Sequence, residues 1–214
     1  MVESCDLKPL VLVIDDDDAM RGSVAFLLAS VGLDTKPFKS AEEFLAALPG
    51  LPKERPGCLL LDVRMPGMSG LELQRHLNEI SFVLPVLVVS GHGDIPMAVA
   101  ALKAGAEDFI EKPYRDQHLL DEVNIAIRKS RERLAEGGER STICNRFQRL
   151  TRREREVLLG VLAGKQNKTI ALDLGLSVKT VEVHRHTGME KMAVGSVAEL
   201  SRMIFLAGIP TGEY

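Results

Sequence analysis

Cys58-Leu59-Leu60-Leu61-Asp62 is a run of four apolar residues that ends in a carboxylate. A strand with one wet face alternates polar and apolar residues. An unbroken apolar run fits a strand buried on both faces, as in a parallel sheet covered by helices. The same pattern recurs on either side, with short runs ending near Ile14, Phe38, Val89 and Ile110. Helix-like segments lie between them. One spans about Asp18 to Ser30 and stops at Gly32, and one spans about Ile95 to Ala104 and stops at Gly105. Two others open on the capping boxes Ser40-x-x-Glu43 and Ser69-x-x-Glu72, and a fifth begins near Arg115. Five strand–helix pairs in succession predict an α/β fold, a doubly wound five-stranded parallel sheet with helices on both faces.

The remaining third has no convincing strand. Thr151-x-x-Glu154 opens a helix with Val157, Leu158, Val161 and Leu162 on one face, ending at Gly164. A short helix from about Asn167 to Leu174, a turn at Gly175-Leu176, and a helix capped by Ser177 and running to about Met192 form a helix-turn-helix pattern. A last helix covers about Ser196 to Leu206. Between the halves, the charged stretch Arg128–Arg133 reads as a helix leaving the first domain, with Gly137-Gly138 expected to break it. The domains expected are therefore 1–127, a helical linker 128–145, and an all-α domain 146–214.

Charge separates the halves. Residues 1–128 carry 20 Asp and Glu against 12 Lys and Arg, a balance of −8. Residues 129–214 carry 10 against 15, a balance of +5, which makes the second half the candidate for a polyanionic partner. No apolar stretch approaches the 18 residues of a spanning helix, and the polar Met1–Lys8 is unlike a secretory signal. Cys5, Cys58 and Cys144 are odd in number, far apart and without metal-binding spacing, so free thiols in a reducing cytoplasm are expected.

In open parallel sheets, sites form beyond the carboxyl ends of the strands. Asp15–Asp18 follow strand one, Asp62 strand three, Ser90 strand four and Lys112 strand five. Crowded carboxylates favour a hard divalent cation with oxygen ligands, Mg²⁺ above all. Such a cation also offsets the charge of an incoming phosphoryl group. An ionised Asp is already a nucleophile. Lys112 can grip a phosphoryl oxygen and Ser90 can donate to another. For each residue alone, the simpler reading is a solvated acid or a lysine paired with one.

These residues carry a resemblance. Val11-Leu12-Val13-Ile14-Asp15-Asp16, Leu61-Asp62-Val63-Arg64-Met65-Pro66-Gly67-Met68-Ser69-Gly70, Ser90-Gly91-His92 and Glu111-Lys112-Pro113 resemble the flavodoxin-like receiver domain of two-component response regulators over about residues 9–127. The resemblance implies that Asp62 accepts a phosphoryl group from a sensor histidine kinase. It implies that Asp16, Asp62 and the Arg64 carbonyl ligate Mg²⁺ (or Mn²⁺), with Asp15 supporting the metal through water. It implies that Lys112 holds the phosphoryl group before a cis Pro113, that Ser90 swings toward it, and that Phe109 turns inward as the switch. Asp17 and Asp18 are then first-turn acids favoured by the helix dipole. The rival reading is a haloacid-dehalogenase-type phosphatase built on Asp15-x-Asp17. It lacks the usual residue at Ala19 and a late acidic pair where Ser90-Gly91-His92-Gly93 stands.

In the second half, Lys179, Glu182, Val183 and His186 share one helix face at i, i+3, i+4 and i+7, while Val178, Val181, Arg185 and Met189 or Met192 lie off it. A polar face without i,i+4 salt bridges in a basic domain suits a DNA major groove. Leu150-Thr151-x-Arg153-Glu154-x-Glu156-Val157-Leu158, Gly164, Asn167-Lys168-x-Ile170-Ala171 and Ser177-x-x-Thr180-Val181-x-Val183-His184 resemble a LuxR-type DNA-binding domain over about residues 146–209. The whole chain resembles the FixJ-like transcriptional regulators. That implies base contacts from Lys179, Glu182, Val183 and His186, and phosphate contacts from Lys168, Thr180 and Arg185. His184 reads as a packing or capping residue. His186-Thr187-Gly188 departs from the family's usual helix formers, so the helix is expected to be looser or bent there.

The function implied is a cytoplasmic response regulator, not an enzyme. Phosphorylation of Asp62 gates homodimerisation and binding to a double-stranded operator, with RNA polymerase as a further partner and activation the commoner outcome. Release of a masked recognition helix is a second route to the same gating. The alternative from another class is a receiver whose output binds protein or RNA.

Overall fold

A computed structural model describes residues 7–91 and 95–211. Cys5 and His92 lie outside the described residues. The order is β1 (Leu10–Ile14), α1 (Asp18–Ser30), β2 (Asp34–Phe38), α2 (Ala41–Ala47), a 3-10 turn Leu48–Gly50, β3 (Gly57–Asp62), α3 (Gly70–Glu79), β4 (Val86–Ser90), α4 (Ile95–Lys103) and β5 (Asp108–Glu111). Helices follow: α5 (Asp116–Gln148), α6 (Arg152–Leu162), α7 (Asn167–Leu174), α8 (Val178–Met192) and α9 (Val197–Ala207). The chain divides into two compact units, 1–134 and 135–214.

In the first unit all strands are parallel in the order β2-β1-β3-β4-β5. The pleat sorts the apolar runs into two cores. Leu10, Leu12 and Ile14 of β1, Leu59 and Leu61 of β3, and Val86 and Val88 of β4 face one core with Phe44, Leu73, Leu77 and Ala101. Val11, Val13, Cys58, Leu60, Leu87 and Val89 face the other with Val24, Leu28, Leu119, Val123 and Ile127. This double burial is why Cys58–Leu61 carries no polar alternation. Burial pushes the Cys58 thiol up to about 12, which leaves it unreactive. Cys58 and Cys144 are both free thiols.

The capping boxes at Ser69 and Thr151 form in full. At Ser40 the hydroxyl caps Glu43 N, but Glu43 accepts from the Lys39 amide, one residue beyond the Ser40 amide that a reciprocal box needs.

The expected break at Gly137-Gly138 does not occur, and α5 runs unbroken to Gln148. Glycine weakens a helix by about 1 kcal/mol relative to alanine but keeps its N–H, so the hydrogen-bond ladder continues where a proline would end it. The charged stretch is also bound more closely than a free linker. Ser130 Oγ accepts from Gly57 N at 3.1 Å, and Lys129 and Arg133 both pair with Glu107.

In the second unit α6 to α9 and the end of α5 enclose two small cores. Ile143, Leu150, Leu158, Met192, Leu200 and Ile204 fill one, and Val157, Val161, Ile170, Ala171 and Val181 fill the other. The αL glycines Gly175 and Gly208 terminate α7 and α9. α8 continues as a helix through Gly188 to Met192. Gly188 is buried against Leu158, and a side chain there would crowd α6.

Candidate functional site

β1, β3, β4 and β5 deliver Asp15, Asp62, Ser90 and, one residue past β5, Lys112 to the carboxyl rim of the sheet. Asp15, Asp62 and Ser90 are all buried. Lys112 Nζ donates to Asp15 Oδ2 at 2.7 Å and to Asp62 Oδ1 at 2.8 Å, bridging the two carboxylates. The other Asp62 oxygen accepts from Arg64 N at 2.8 Å. The other Asp15 oxygen accepts from Asp17 N at 2.9 Å. Lys112 N also bonds Ser90 O at 2.8 Å, which fixes β5 beside β4 at this rim. The Lys112–Pro113 peptide is cis.

Burial raises the Asp62 carboxyl above its usual range, and hydrogen bonding and attraction from Lys112 only partly offset it. Desolvation pulls the Lys112 ammonium down, but its bonds to Asp15 and Asp62 outweigh this and hold it up, firmly charged. Two buried carboxylates share one ammonium, so the cluster keeps a negative excess. Asp16 stands exposed beside it.

The backbone after Asp62 is tightly folded. A Cβ on Gly70 would lie 2.1 Å from the Asp62 carbonyl oxygen, so no larger residue fits as α3 starts under β3. Glu42 Oε1 accepts from Met68 N at 3.0 Å and ties this loop to α2.

Among the described residues no three His, Cys, Asp or Glu side chains form a metal cluster by themselves. Magnesium keeps several waters and needs only one or two carboxylates. Asp62 and Asp15, brought together on Lys112, and Asp16 next in sequence are oxygen donors of that class, so the donor set fits the ion.

Asp17 is not a first-turn acid but the N-cap of α1, accepting from Ala19 N and Met20 N. Both bonds fall on Oδ1, and the residue stays exposed. Asp18 does sit in the first turn, paired with Arg21. Arg21 also reaches back to the Asp15 carbonyl and was missed, as was Glu42. Glu42 meets a distant loop that no spacing marks, whereas Arg21 acts locally, on Asp18 one turn back and on the Asp15 carbonyl just before α1. Ser90 Oγ meets Met97 Sδ of α4 at 3.9 Å. Phe109 is partly buried against the core that contains Ala101 of α4.

In the second unit Lys179, Glu182, Val183 and His186 form an exposed face on α8, with Val183 58% exposed. Val181 and Met192, off this face, are fully buried, whereas Val178 stays 41% exposed. The face is not wholly free of i,i+4 pairing, since His186 Nε2 lies 3.5 Å from Glu190 Oε1. Lys168 is exposed on α7. Thr180 Oγ1 shares a 2.7 Å hydrogen bond with the capping Ser177. Arg185 Nη1 donates to Asn167 Oδ1 at 3.1 Å, joining α8 to the start of α7. Beneath this face, Lys191 Nζ donates to both oxygens of buried Glu154 at 2.7 and 2.8 Å, a pair the capping box hid.

Residues 11–124 match the response regulator receiver domain family, and residues 148–204 match the luxR family of bacterial regulatory proteins. The chain is 49% identical over 203 residues to the transcriptional regulatory protein FixJ of Azorhizobium caulinodans, covering 95% of each chain. It is 42% identical over 198 residues to the response regulator protein TodT of Pseudomonas putida, covering 92% of this chain and 86% of that one. Among solved structures, that of the response regulator StyR superposes with a TM-score of 0.81 at 42% identity, covering 92% of this chain and 98% of the other.

Proposed function

This chain belongs to the FixJ family of two-component response regulators, with a receiver and a LuxR-type DNA-binding output, and on that premise we propose that phosphorylation of Asp62 gates its dimerisation and DNA binding. It is a transcriptional regulator rather than an enzyme, and the DNA-binding output replaces the alternative of a protein- or RNA-binding one. A receiver implies a histidine kinase partner. No helix among the described residues is long and apolar enough to cross a membrane. The proposed place of action is the cytoplasm.

The observation that carries the proposal is the bridge from Lys112 to Asp15 and Asp62. In the proposed transfer a carboxylate oxygen of Asp62 attacks the phosphorus of a kinase phosphohistidine. The P–N bond breaks, a P–O bond forms, and the electron pair leaves with the imidazole. Receiver domains typically use Mg²⁺ for this step. Asp15, Asp16, Asp62 and the Arg64 carbonyl would hold Mg²⁺ (or Mn²⁺), which supplies charge neutralisation at the phosphoryl oxygens. Lys112 keeps its grip on the same point in space and takes a phosphoryl oxygen as partner.

The new charge gives the Ser90 hydroxyl a stronger acceptor than Met97 sulfur. Ser90 turns toward it, Phe109 follows inward, and the α4–β5 surface is remodelled. Two receivers pair there as a homodimer, and tethering raises the effective concentration of two α8 helices on paired half-sites. Lys179, Glu182, Val183 and His186 read base edges. Lys168, Thr180 and Arg185 set register on phosphates. The dimer then engages RNA polymerase, with activation as the outcome.

The test is intact mass and size-exclusion elution with and without acetyl phosphate and Mg²⁺. Gain of one phosphoryl group with a shift from monomer to dimer, both lost in Asp62→Asn, is expected. Phosphorylation that persists in Asp62→Asn would overturn the assignment.

A further inference from the structure

We propose that Gln74 and Asn78 of α3 pin the C-terminal end of α4, making that end the fulcrum about which the helix tilts when Asp62 is phosphorylated. The proposal rests on the gating reading above and names positioning residues for it.

α4 is poorly held by apolar packing. Among its residues only Ala101 is fully buried, while Ile95, Val99 and Leu102 are 82%, 42% and 46% exposed. An element with so little buried surface is released readily unless something else holds it.

At its C-terminal end something does. Gln74 is completely buried, and its Nε2 donates to Ala101 O at 3.4 Å and to Ala104 O at 3.2 Å. Asn78, one turn along α3, donates Nδ2 to the same Ala104 O. Ala101 O belongs to the last turn, where it also accepts from Ala106 N at 3.0 Å, and Ala104 stands one residue past the helix. The chain then turns through Gly105 at φ +86°, where a Cβ would lie 3.3 Å from the Asn78 amide.

The opposite end meets the site differently. Met97, in the first turn of α4, touches the Ser90 hydroxyl through its sulfur at 3.9 Å. A helix gripped by directional hydrogen bonds at one end and touched by the switch hydroxyl near the other is a lever.

Gln74 holds this position at a cost. Its Oε1 is buried with no hydrogen-bond partner among the described residues. Rotating the amide would relieve nothing, because it would set Oε1 against two carbonyl oxygens. Ala101 O also accepts from Ala106 N, and Ala104 O from Asn78, so an apolar residue of similar size would remove the orphaned Oε1 without stranding either carbonyl. The amide is explained by what it grips.

That contrast defines the experiment, done on the full chain with Gln74→Leu and, as a second variant, Gln74→Met. Urea midpoints and the rate of phosphoryl uptake from acetyl phosphate with Mg²⁺ are expected to match wild type. Amide exchange at Ala104, Gly105 and Ala106 is expected to rise at least fivefold in the unphosphorylated chain. The dimer formed on phosphorylation is expected to dissociate at least fivefold more readily. Unchanged exchange at these amides, or a loss of dimer that only parallels a loss of stability, would overturn the pin. If phosphorylated wild type itself stays monomeric, the gating reading fails, while the exchange comparison still decides whether Gln74 holds α4.

Discussion

Gly188 lies flat against Leu158: a Cβ at Gly188 would come 3.0 Å from Leu158 Cδ1 and 3.1 Å from Cγ. The glycine therefore sets how closely α8 rides on α6. Gly188→Ala gains up to about 1 kcal/mol in helix propensity but overpacks a full core, which costs about 1–3 kcal/mol. The expected net effect is a destabilisation of about 1 kcal/mol in the second unit. Leu158→Ala placed behind it should recover part of that loss, so a double-mutant cycle of urea midpoints checks the contact. Additive losses would show that the two residues are not coupled.

Removing Lys112 should expose the repulsion it now masks. In Lys112→Ala the buried carboxylates of Asp15 and Asp62 lose their shared cation, and breaking such a pair costs about 3–5 kcal/mol at most. Thermal unfolding of the variant should start lower than wild type, and Mg²⁺ should raise its midpoint by more than it raises that of wild type. Phosphoryl uptake should still fall about a hundredfold, since one preorganised donor to the phosphoryl oxygens is gone. Equal Mg²⁺ responses in both proteins would count against a metal held by these carboxylates.

Glu154 predicts an acid-sensitive second unit. Burial works to raise its carboxyl, but hydrogen bonds from Lys191 and Thr151 outweigh that and hold it below the usual range. A depressed carboxyl contributes stability that is present above its unfolded value, near 4.5, and lost as pH falls through the lower folded value. The urea midpoint of the second unit should therefore drop on acidification below that point. Lys191→Met should lower the neutral-pH stability by about 1 kcal/mol, the low end of the range because Lys191 is partly exposed. It should also flatten the acid-dependent fall, and a slope as steep as wild type would place the acid sensitivity elsewhere.

Contacts to bases and to phosphates should separate by salt and by sequence. Lys168→Ala should weaken all duplexes alike and reduce the slope of log affinity against log salt by about one. Glu182→Ala should leave that slope nearly unchanged and relax preference at one operator position, worth about 1–3 kcal/mol per discriminated base. Binding isotherms on selected and scrambled duplexes at several salt concentrations decide it. A salt slope that moves with Glu182 instead would reverse these assignments.

Much of this molecule is legible from period and punctuation. The two-sided burial of Cys58–Leu61 and the acids at strand ends specify a parallel sheet and its rim, because pleat and strand polarity leave side chains little choice. The helix pair around Gly175 is likewise local. What stayed hidden depends on long-range return of the chain. Glu42 and Gln74 act on residues of other elements, and no spacing in the sequence announces them. Gly137-Gly138 misleads for a physical reason. Propensity treats glycine as a weak point, whereas a helix tolerates it where the ladder is intact or a neighbour needs the space. Asp17 was misplaced by a single residue, the difference between capping a helix and beginning it.

The central claim is that a phosphoryl group on Asp62 controls DNA binding. The most direct test is the affinity of the full chain for its selected operator, by fluorescence anisotropy at fixed salt, with and without acetyl phosphate and Mg²⁺. The same titration is run on Asp62→Asn. We predict that phosphorylation tightens wild-type binding at least tenfold and leaves Asp62→Asn at the unphosphorylated level. Equal affinity of wild type in both conditions, or the same tightening in Asp62→Asn, would contradict the account.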